Sequence, residues 1–127
     1  MKMAKMLGIA TGLFVISAPV LAAEADGEIG YSKGSLGYDA LIAGDNQTAL
    51  KQLEAANNVK ENDPARLINL GQAYARMGQT GDAAKMFMAA MNSNRSFDLL
   101  LADGTVINSR QAAKLALNSL NNRLASR

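Results

Sequence analysis

The aspartates are the residues of this sequence best suited to acid–base chemistry, which in enzymes needs two carboxylates held close together. Here they stand apart, at predicted helix ends and turns, where aspartate commonly has a structural role. The five aspartates concerned are Asp39, Asp45, Asp82, Asp98 and Asp103. No two of them are placed to act as a pair, so we expect a protein without enzymatic activity.

Two residue types that carry much catalytic and metal chemistry are missing, because the 127 residues include no His and no Cys. Without them, neither a Cys–His nor a Ser–His catalytic pair can form. A zinc site of the usual Cys/His kind is excluded as well, and so are disulfides. We therefore expect neither a bound metal ion nor another cofactor.

Four methionines near the middle of the chain, Met77, Met86, Met88 and Met91, have two interpretations. A thioether can bind a soft metal ion such as copper, and it can also pack adaptably in a core or an interface. Met86 and Met88 are separated by a single residue, which places them on different sides of a helix. This spacing disfavours one shared metal site and favours packing.

The stretch 64–91 combines small and aromatic residues at spacings that suit two closely packed helices. Gly71 and Ala83 leave room for a neighbouring helix, while Tyr74 and Phe87 fill the space between the two. We take this predicted helix pair to be the centre around which the rest of the chain is organised.

This stretch resembles one tetratricopeptide repeat, whose signature is W-x2-L-G-x2-Y followed by A-x3-F. The corresponding residues are Leu67, Leu70, Gly71, Tyr74, Ala83 and Phe87, with Leu in place of Trp. The resemblance implies a repeat made of two packed helices within residues 64–93. It also implies a protein that binds other proteins, without naming the partner.

A second, more divergent copy of the motif lies one repeat length upstream, which is about 34 residues in this family. Tyr74 then corresponds to Ala40, a departure from the pattern, and Tyr38 is expected to fill that space instead. The positions that agree in identity or size are Leu36, Gly37, Gly44, Ala49, Leu53 and Ala56. Residues 30–60 are therefore predicted to form a first repeat.

Four helices are predicted for the two repeats, at about residues 35–43, 46–59, 64–77 and 80–93. Ser32 or Ser35 is expected to cap the first helix. Gly44 and Gly78 should end the first helix of each pair, where a left-handed residue is tolerated. Asp63–Pro64 is typical of a helix start, with Asp as the cap and Pro as the first helical residue.

In tetratricopeptide repeats, a partner peptide usually lies along the concave side, which is lined by the first helix of each repeat. The resemblance therefore assigns the candidate partner-binding residues of this chain by position. They are Tyr38 and Leu41 in the first repeat, and Ile68, Asn69, Gln72 and Arg76 in the second. Ile42, Ala65 and Ala75 take neighbouring inward positions.

The polar members of this set suit a peptide ligand. Asn69 and Gln72 can hydrogen-bond an extended peptide backbone, and Arg76 can hold a carboxylate through a two-pronged contact. Some members of the family carry an Asn at the position of Asn69 that binds a C-terminal carboxylate, but the lysines that accompany it there are not evident here. In the alternative interpretation, Asn69 bonds to the neighbouring loop and Arg76 is a solvated surface charge.

The last part of the chain, residues 97–127, does not continue the repeats. A β-hairpin is predicted first, with Asp103–Gly104 as a two-residue turn; a short helix ending at Gly104 is the alternative. Ser109 is expected to cap a last helix that ends near Ala125. Residues at helical spacing on one face of this helix should cover the second repeat; they are Ala113, Ala116, Leu117, Leu120 and Leu124.

Residues 1–25 have the order of a secretory signal peptide, which is a basic start, an apolar run and small residues at the cleavage site. An uncleaved membrane anchor is the alternative, but the run is short for a membrane span and contains Pro19. Residues 26–34 are rich in Gly, acidic residues and Ser, and are expected to be a flexible leader. The folded domain is then predicted to occupy residues 35–127.

The net charge of +2 and the pI of about 9.0 depend on the predicted signal. Both of its lysines leave with it, while every acidic residue lies at or after Glu24, so the remaining chain is nearly neutral. This balance gives no support for nucleic-acid binding, which needs a retained basic patch.

Together these features predict an all-α fold of about two tetratricopeptide-like helical hairpins, followed by a β-hairpin and a capping helix. The chain is also similar to small exported repeat proteins of Gram-negative bacteria. This similarity indicates a periplasmic adaptor that binds a peptide or a helix of an envelope, secretion or pilus component, without stable membrane insertion after signal cleavage. The alternative is a structural module of the cell envelope that self-associates through an exposed apolar repeat edge and has no separate peptide ligand.

Overall fold

The computed structural model describes residues 31, 34–56, 59–101 and 103–126. The helices in these ranges are α1 (Tyr38–Ala43), α2 (Asn46–Ala55), α3 (Pro64–Arg76), α4 (Thr80–Asn92) and α5 (Ser109–Ala125). Strands β1 (Asp98–Leu100) and β2 (Val106–Asn108) form an antiparallel hairpin between α4 and α5. The prediction of a mostly helical fold with a C-terminal hairpin is confirmed, and the alternative of a short helix ending at Gly104 is wrong.

The predicted signal at residues 1–25 lies outside the described residues, and so does Ser32, one of the two expected caps of the first helix. Of the predicted leader, residues 26–34, the structure describes only Tyr31 and Gly34. No helix among the described residues is both long enough and apolar enough to cross a membrane.

Helix α1 starts later than predicted because the backbone is left-handed immediately before it. Gly37 has a φ of 64° and occupies the N-cap position, so the expected capping role of Ser35 is wrong. A residue in this conformation cannot belong to a right-handed helix, and glycine adopts it at little cost. The Gly37 N–H closes the preceding turn by donating to the Gly34 carbonyl at 3.2 Å.

The other predicted boundaries of the helix pairs are close to the observed ones. Gly44 and Gly78 both have a φ of 81° and follow the ends of α1 and α3. Asp63 caps α3, because its Oδ1 accepts from the N–H groups of Ala65 at 2.9 Å and Arg66 at 3.3 Å. These ends were predictable because each depends on residues next to one another in the chain.

Helix α2 ends at Ala55, earlier than the predicted end near residue 59. Its C-cap, Ala56, has extended backbone. In the last turn of the helix, the Leu53 carbonyl accepts from Arg66 Nε at 3.2 Å, which joins α2 to α3.

Helix α3 is the central helix of the fold, and ten of its 13 residues are buried. It packs along α4, and it also contacts α2 and α5. The main core combines α3, α4 and α5 with Leu99 and Leu101 of the hairpin region, and a smaller cluster joins α1 and α2 to Ala73.

The hairpin has a longer loop than predicted. Its register pairs Asp98 with Asn108 and Leu100 with Val106, and the ladder continues where the Leu101 N–H donates to the Thr105 carbonyl at 2.8 Å. Because this bond pairs Leu101 with Thr105, the turn is longer than two residues, and the predicted two-residue turn at Asp103–Gly104 is wrong. Gly104, with a φ of 89°, takes the left-handed position that ends such a loop.

The predicted cap of the last helix is also wrong, because Asn108 takes that position. Its Oδ1 accepts from the Arg110 N–H at 2.9 Å. Ser109 is instead the first helical residue, and it joins the hairpin to α5 through two hydrogen bonds with Phe97. Its N–H donates to the Phe97 carbonyl at 2.9 Å, and its Oγ accepts from the Phe97 N–H at 3.2 Å.

The predicted apolar face of α5 packs on α4 and α3. Ala113, Ala116 and Leu120 are buried, and Leu117 is partly buried against the main core. Leu124 does not belong to this contact, because it lies one turn beyond the last buried residue and is 40% exposed. The expectation that this face covers the second helix pair is thus confirmed for all but its last residue.

Candidate partner-binding site

Arg76, the last residue of α3, reaches the junction between α1 and α2. Its Nη1 donates to the Leu41 carbonyl at 2.8 Å and to Asn46 Oδ1 at 3.4 Å. The turn at Gly44 reverses the chain between these two acceptors, so one side chain can reach both. The end of α3 is thereby tied to the end of α1 and the start of α2.

The remaining donors of the Arg76 guanidinium have no acceptor. Nε and Nη2 are buried and make no hydrogen bond to any residue that the structure describes. Loss of hydration through burial lowers the pKa of Arg76. On a guanidinium, Nε–H and Nη2–H point the same way, so this pair is a two-pronged donor of the kind that carboxylates bind.

Tyr38 lies on α1, close in sequence to the carbonyl that Arg76 binds, and is half-buried. Burial raises the pKa of its phenol, and the charge of Asp39 raises it further, so the hydroxyl keeps its proton at neutral pH. Asp39 is exposed, and Ile42 is 49% exposed. We call Tyr38, Asp39 and Ile42 the α1 surface.

The other four candidate residues lie inside the fold. Leu41, Ile68 and Asn69 have no exposed area, and Gln72 is 3% exposed. The Asn69 Nδ2 donates to the Leu36 carbonyl at 3.0 Å, which is the loop contact expected in the alternative interpretation. Of the six candidates, the structure therefore leaves only Tyr38 and Arg76 half-buried, and it buries the other four.

A polar cluster around Asp63, which is 2% exposed, was not foreseen from the sequence. Its Oδ2 accepts from the Tyr31 hydroxyl at 2.7 Å and lies 4.0 Å from Arg95 Nη2. Burial and this hydrogen bond raise the pKa of Tyr31 well above its usual value. No local pattern reveals the cluster, because its members come from three separate segments of the chain. The cluster fixes Tyr31, at the end of the predicted leader, to the core.

The loops at this end of the fold are joined a second time around Ser93. The Ser93 Oγ donates to the Asn62 carbonyl at 2.9 Å, and the Ser93 carbonyl accepts from Arg110 Nη2 at 2.8 Å. These bonds tie the loop before α3 to the segment after α4 and to the start of α5. We assign both clusters a structural role, because their hydrogen bonds join separate segments of the chain.

Metal-ligating residues do not converge within the described ranges, where no three His, Cys, Asp or Glu side chains lie together. The methionines are divided as their spacing indicates. Met88 is 49% exposed, whereas Met86 and Met91 pack against the main core.

Comparison with known proteins gives no relative, since no family model, no curated protein and no solved structure matches the chain.

Proposed function

We propose that this chain is a protein-interaction module of the bacterial periplasm, built on two tetratricopeptide-like helix pairs. Its partner is a peptide or a helix of an envelope, secretion or pilus component. The observation that carries the proposal is the Arg76 guanidinium next to the α1 surface, because two of its donors find no acceptor among the described residues. The signal-like N-terminus supports the compartment.

The repeat part of the proposal is supported by similar environments at corresponding positions of the two helix pairs. Ala49 and Ala83 are both fully buried, and Leu53 and Phe87 are 0% and 1% exposed. The glycines that end α1 and α3 share the same φ. The first pair is the more divergent one, since α1 has six residues and α3 has 13.

A carboxylate is the group that best completes the Arg76 site. Its two oxygens can accept from Nε–H and Nη2–H in parallel, which is among the stronger hydrogen-bonding arrangements in proteins. Burying these two donors without an acceptor costs free energy, and an incoming carboxylate offsets this cost. An acidic side chain or the C-terminus of the partner supplies such a group.

Access to these donors requires a small rearrangement, because Nε and Nη2 are covered. The Arg76 side chain is only half-buried, so a rotamer change exposes the guanidinium without unfolding α3. Partner affinity therefore includes the cost of breaking the bond to the Leu41 carbonyl.

The test begins with crosslinking of the chain in its own periplasm and identification of the dominant partner by mass spectrometry. Binding is then measured with purified components for the wild type and for Arg76→Gln, which keeps an amide donor but removes the charge and the two-pronged geometry. We expect Arg76→Gln to weaken binding by at least about tenfold, or 1.4 kcal/mol.

Arg123→Gln is the matched control, because Arg123 is also half-buried and also has an unpartnered Nε, but lies on α5. It should bind the partner as the wild type does. Full binding by Arg76→Gln would show that this site does not hold the partner.

A further inference from the structure

The helices at the two ends of the fold carry opposite charge. Helices α1 and α2 and the turn between them have an excess of acidic residues, and the charged positions there are Asp39, Asp45, Lys51 and Glu54. Residues 104–126 contain no acidic residue, and the basic ones are Arg110, Lys114 and Arg123. Between these parts, residues 59–103 have equal numbers of acidic and basic side chains. The described part of the chain therefore has an acidic excess at α1 and α2 and a basic excess at residues 104–126.

The oppositely charged helices also lie on different sides of α3. Helix α2 packs on α3, and α5 packs on α4 and α3, while no extensive packing joins α5 to α1 or α2 within the described residues. In helical repeat proteins, the two end faces are the surfaces that a further unit buries or a polar cap protects. Here each side keeps an apolar side chain in solvent, Ile42 at 49% and Leu124 at 40% exposed.

Each of the two helices carries its exposed apolar residue and an exposed charge on the same side. The α1 surface has exposed Asp39 three positions before Ile42, on the same side of the helix. On α5, Lys114 is exposed, and helical spacing places Leu124 on the same side. We call Arg110, Lys114 and Leu124 the α5 surface.

We propose that copies of this chain associate end to end, with the α1 surface of one copy against the α5 surface of the next. Charge complementarity favours a second copy as the occupant, because unlike surfaces attract and two α5 surfaces repel. A contact between unlike surfaces leaves one of each free on every dimer, so association continues into open chains or closes into rings. This inference goes beyond the proposed partner site, to which α5 contributes no residue.

The test uses two variants of the full-length chain, Ile42→Lys and Leu124→Glu, each of which places a repelling charge on one surface. Sedimentation velocity is measured up to about 1 mM, where weak contacts become visible. The wild type should self-associate with rising concentration and dissociate as salt is raised to about 0.5 M, because salt screens exposed charges. Each variant alone should associate at least about tenfold more weakly, and an equimolar mixture of the two should regain association.

Met88→Lys is the control, because Met88 is 49% exposed on α4 and belongs to neither surface; it should associate as the wild type does. Each variant is checked by circular dichroism, and Asp39→Lys replaces Ile42→Lys if that variant does not fold. The proposal would be overturned by a monomeric wild type or by a loss of association in Met88→Lys. It would also be overturned if only one of the two end variants lost association, because that result indicates contact between like surfaces.

Measuring partner binding and self-association for the same variants distinguishes a failure of this proposal from a failure of the proposed function. Leu124→Glu should lose self-association and still bind the partner of the Arg76 site. Arg76→Gln should bind the partner weakly and still self-associate.

Discussion

The ring of Phe87 in α4 occupies the space in which a Cβ on residue 71 of α3 would lie. A Cβ built on Gly71 would be 2.6 Å from Cδ1 and 2.9 Å from Cζ of Phe87, and the ring is 1% exposed. Both distances are far shorter than a carbon–carbon contact of about 3.5–4.0 Å. The two helices can approach this closely because residue 71 has no side chain.

Gly71→Ala should destabilise the fold, because the added methyl group displaces the Phe87 ring from a packed core. We expect a loss of about 1–3 kcal/mol, measured as a lower midpoint of urea unfolding at unchanged slope. Gly81→Ala in α4 is the matched control, since nothing lies within 4 Å of a Cβ there. It should stabilise the protein by about 0.4–1 kcal/mol, and equal effects of the two changes would contradict the close approach.

Tyr31 should make stability fall at alkaline pH. Burial and the Asp63 hydrogen bond raise its pKa in the folded state, whereas in the unfolded chain the phenol ionises near pH 10, as free tyrosine does. The stabilisation is therefore complete below about pH 10 and is lost above it, because only the unfolded state then releases the proton.

The measurement compares the free energy of unfolding of the wild type and Tyr31→Phe between pH 8 and pH 11. At pH 8 the wild type should be more stable by about 1.5–3 kcal/mol, the contribution of a hydrogen bond to a charged group. The difference should shrink above about pH 10. Tyr38 and Tyr74 are present in both proteins, so their ionisation cancels, and a difference independent of pH would contradict the prediction.

Leu99 should anchor the hairpin to the core. It has no exposed area, whereas Val106 on the partner strand is 50% exposed. Leu99→Ala is expected to cost about 2–5 kcal/mol in unfolding free energy, and Val106→Ala less than about 0.5 kcal/mol. Chemical denaturation of both variants tests this, and a small effect of Leu99→Ala would mean that the hairpin does not stabilise the helices.

Arg76→Lys should separate the binding role of Arg76 from its structural role. Lysine can still donate to the Leu41 carbonyl, so stability should change by less than about 1 kcal/mol, but its single charged group cannot form the two-pronged contact. We expect partner affinity to fall by about tenfold or more, measured by calorimetry with the identified partner. Unchanged affinity would mean that only the charge of Arg76 matters.

The predictions that the structure confirms were those that depend on neighbouring residues. Asp63 and Pro64 start α3 and Gly78 follows its end as predicted, because caps and left-handed turns are set within a few residues. The glycine at position 71 indicated a tight helix contact, because glycine destabilises a helix interior unless a neighbouring helix packs closely against it.

Local signals misplaced two features whose positions depend on strand pairing. The hairpin turn is longer than the predicted two residues because the pairing of Leu101 with Thr105 extends the ladder. Asn108 rather than Ser109 caps α5 because the hydrogen bonds of Ser109 to Phe97 fix where the strand ends. In both cases, several positions for the turn or the cap are compatible with the local sequence, and the strand register decides which one is used.

The sequence by itself determined the helical segments, the Asp63 cap of α3 and the Gly71 contact, because helix periodicity and capping act over a few residues. Only the tertiary structure decided which candidate residues a partner can reach. Asn69 and Gln72 are buried although a repeat surface would present them, and Arg76 is left with donors that nothing in the described chain fills. The physical reason is that burial depends on which distant segments pack together, as Tyr31 and Asp63 do across 32 residues.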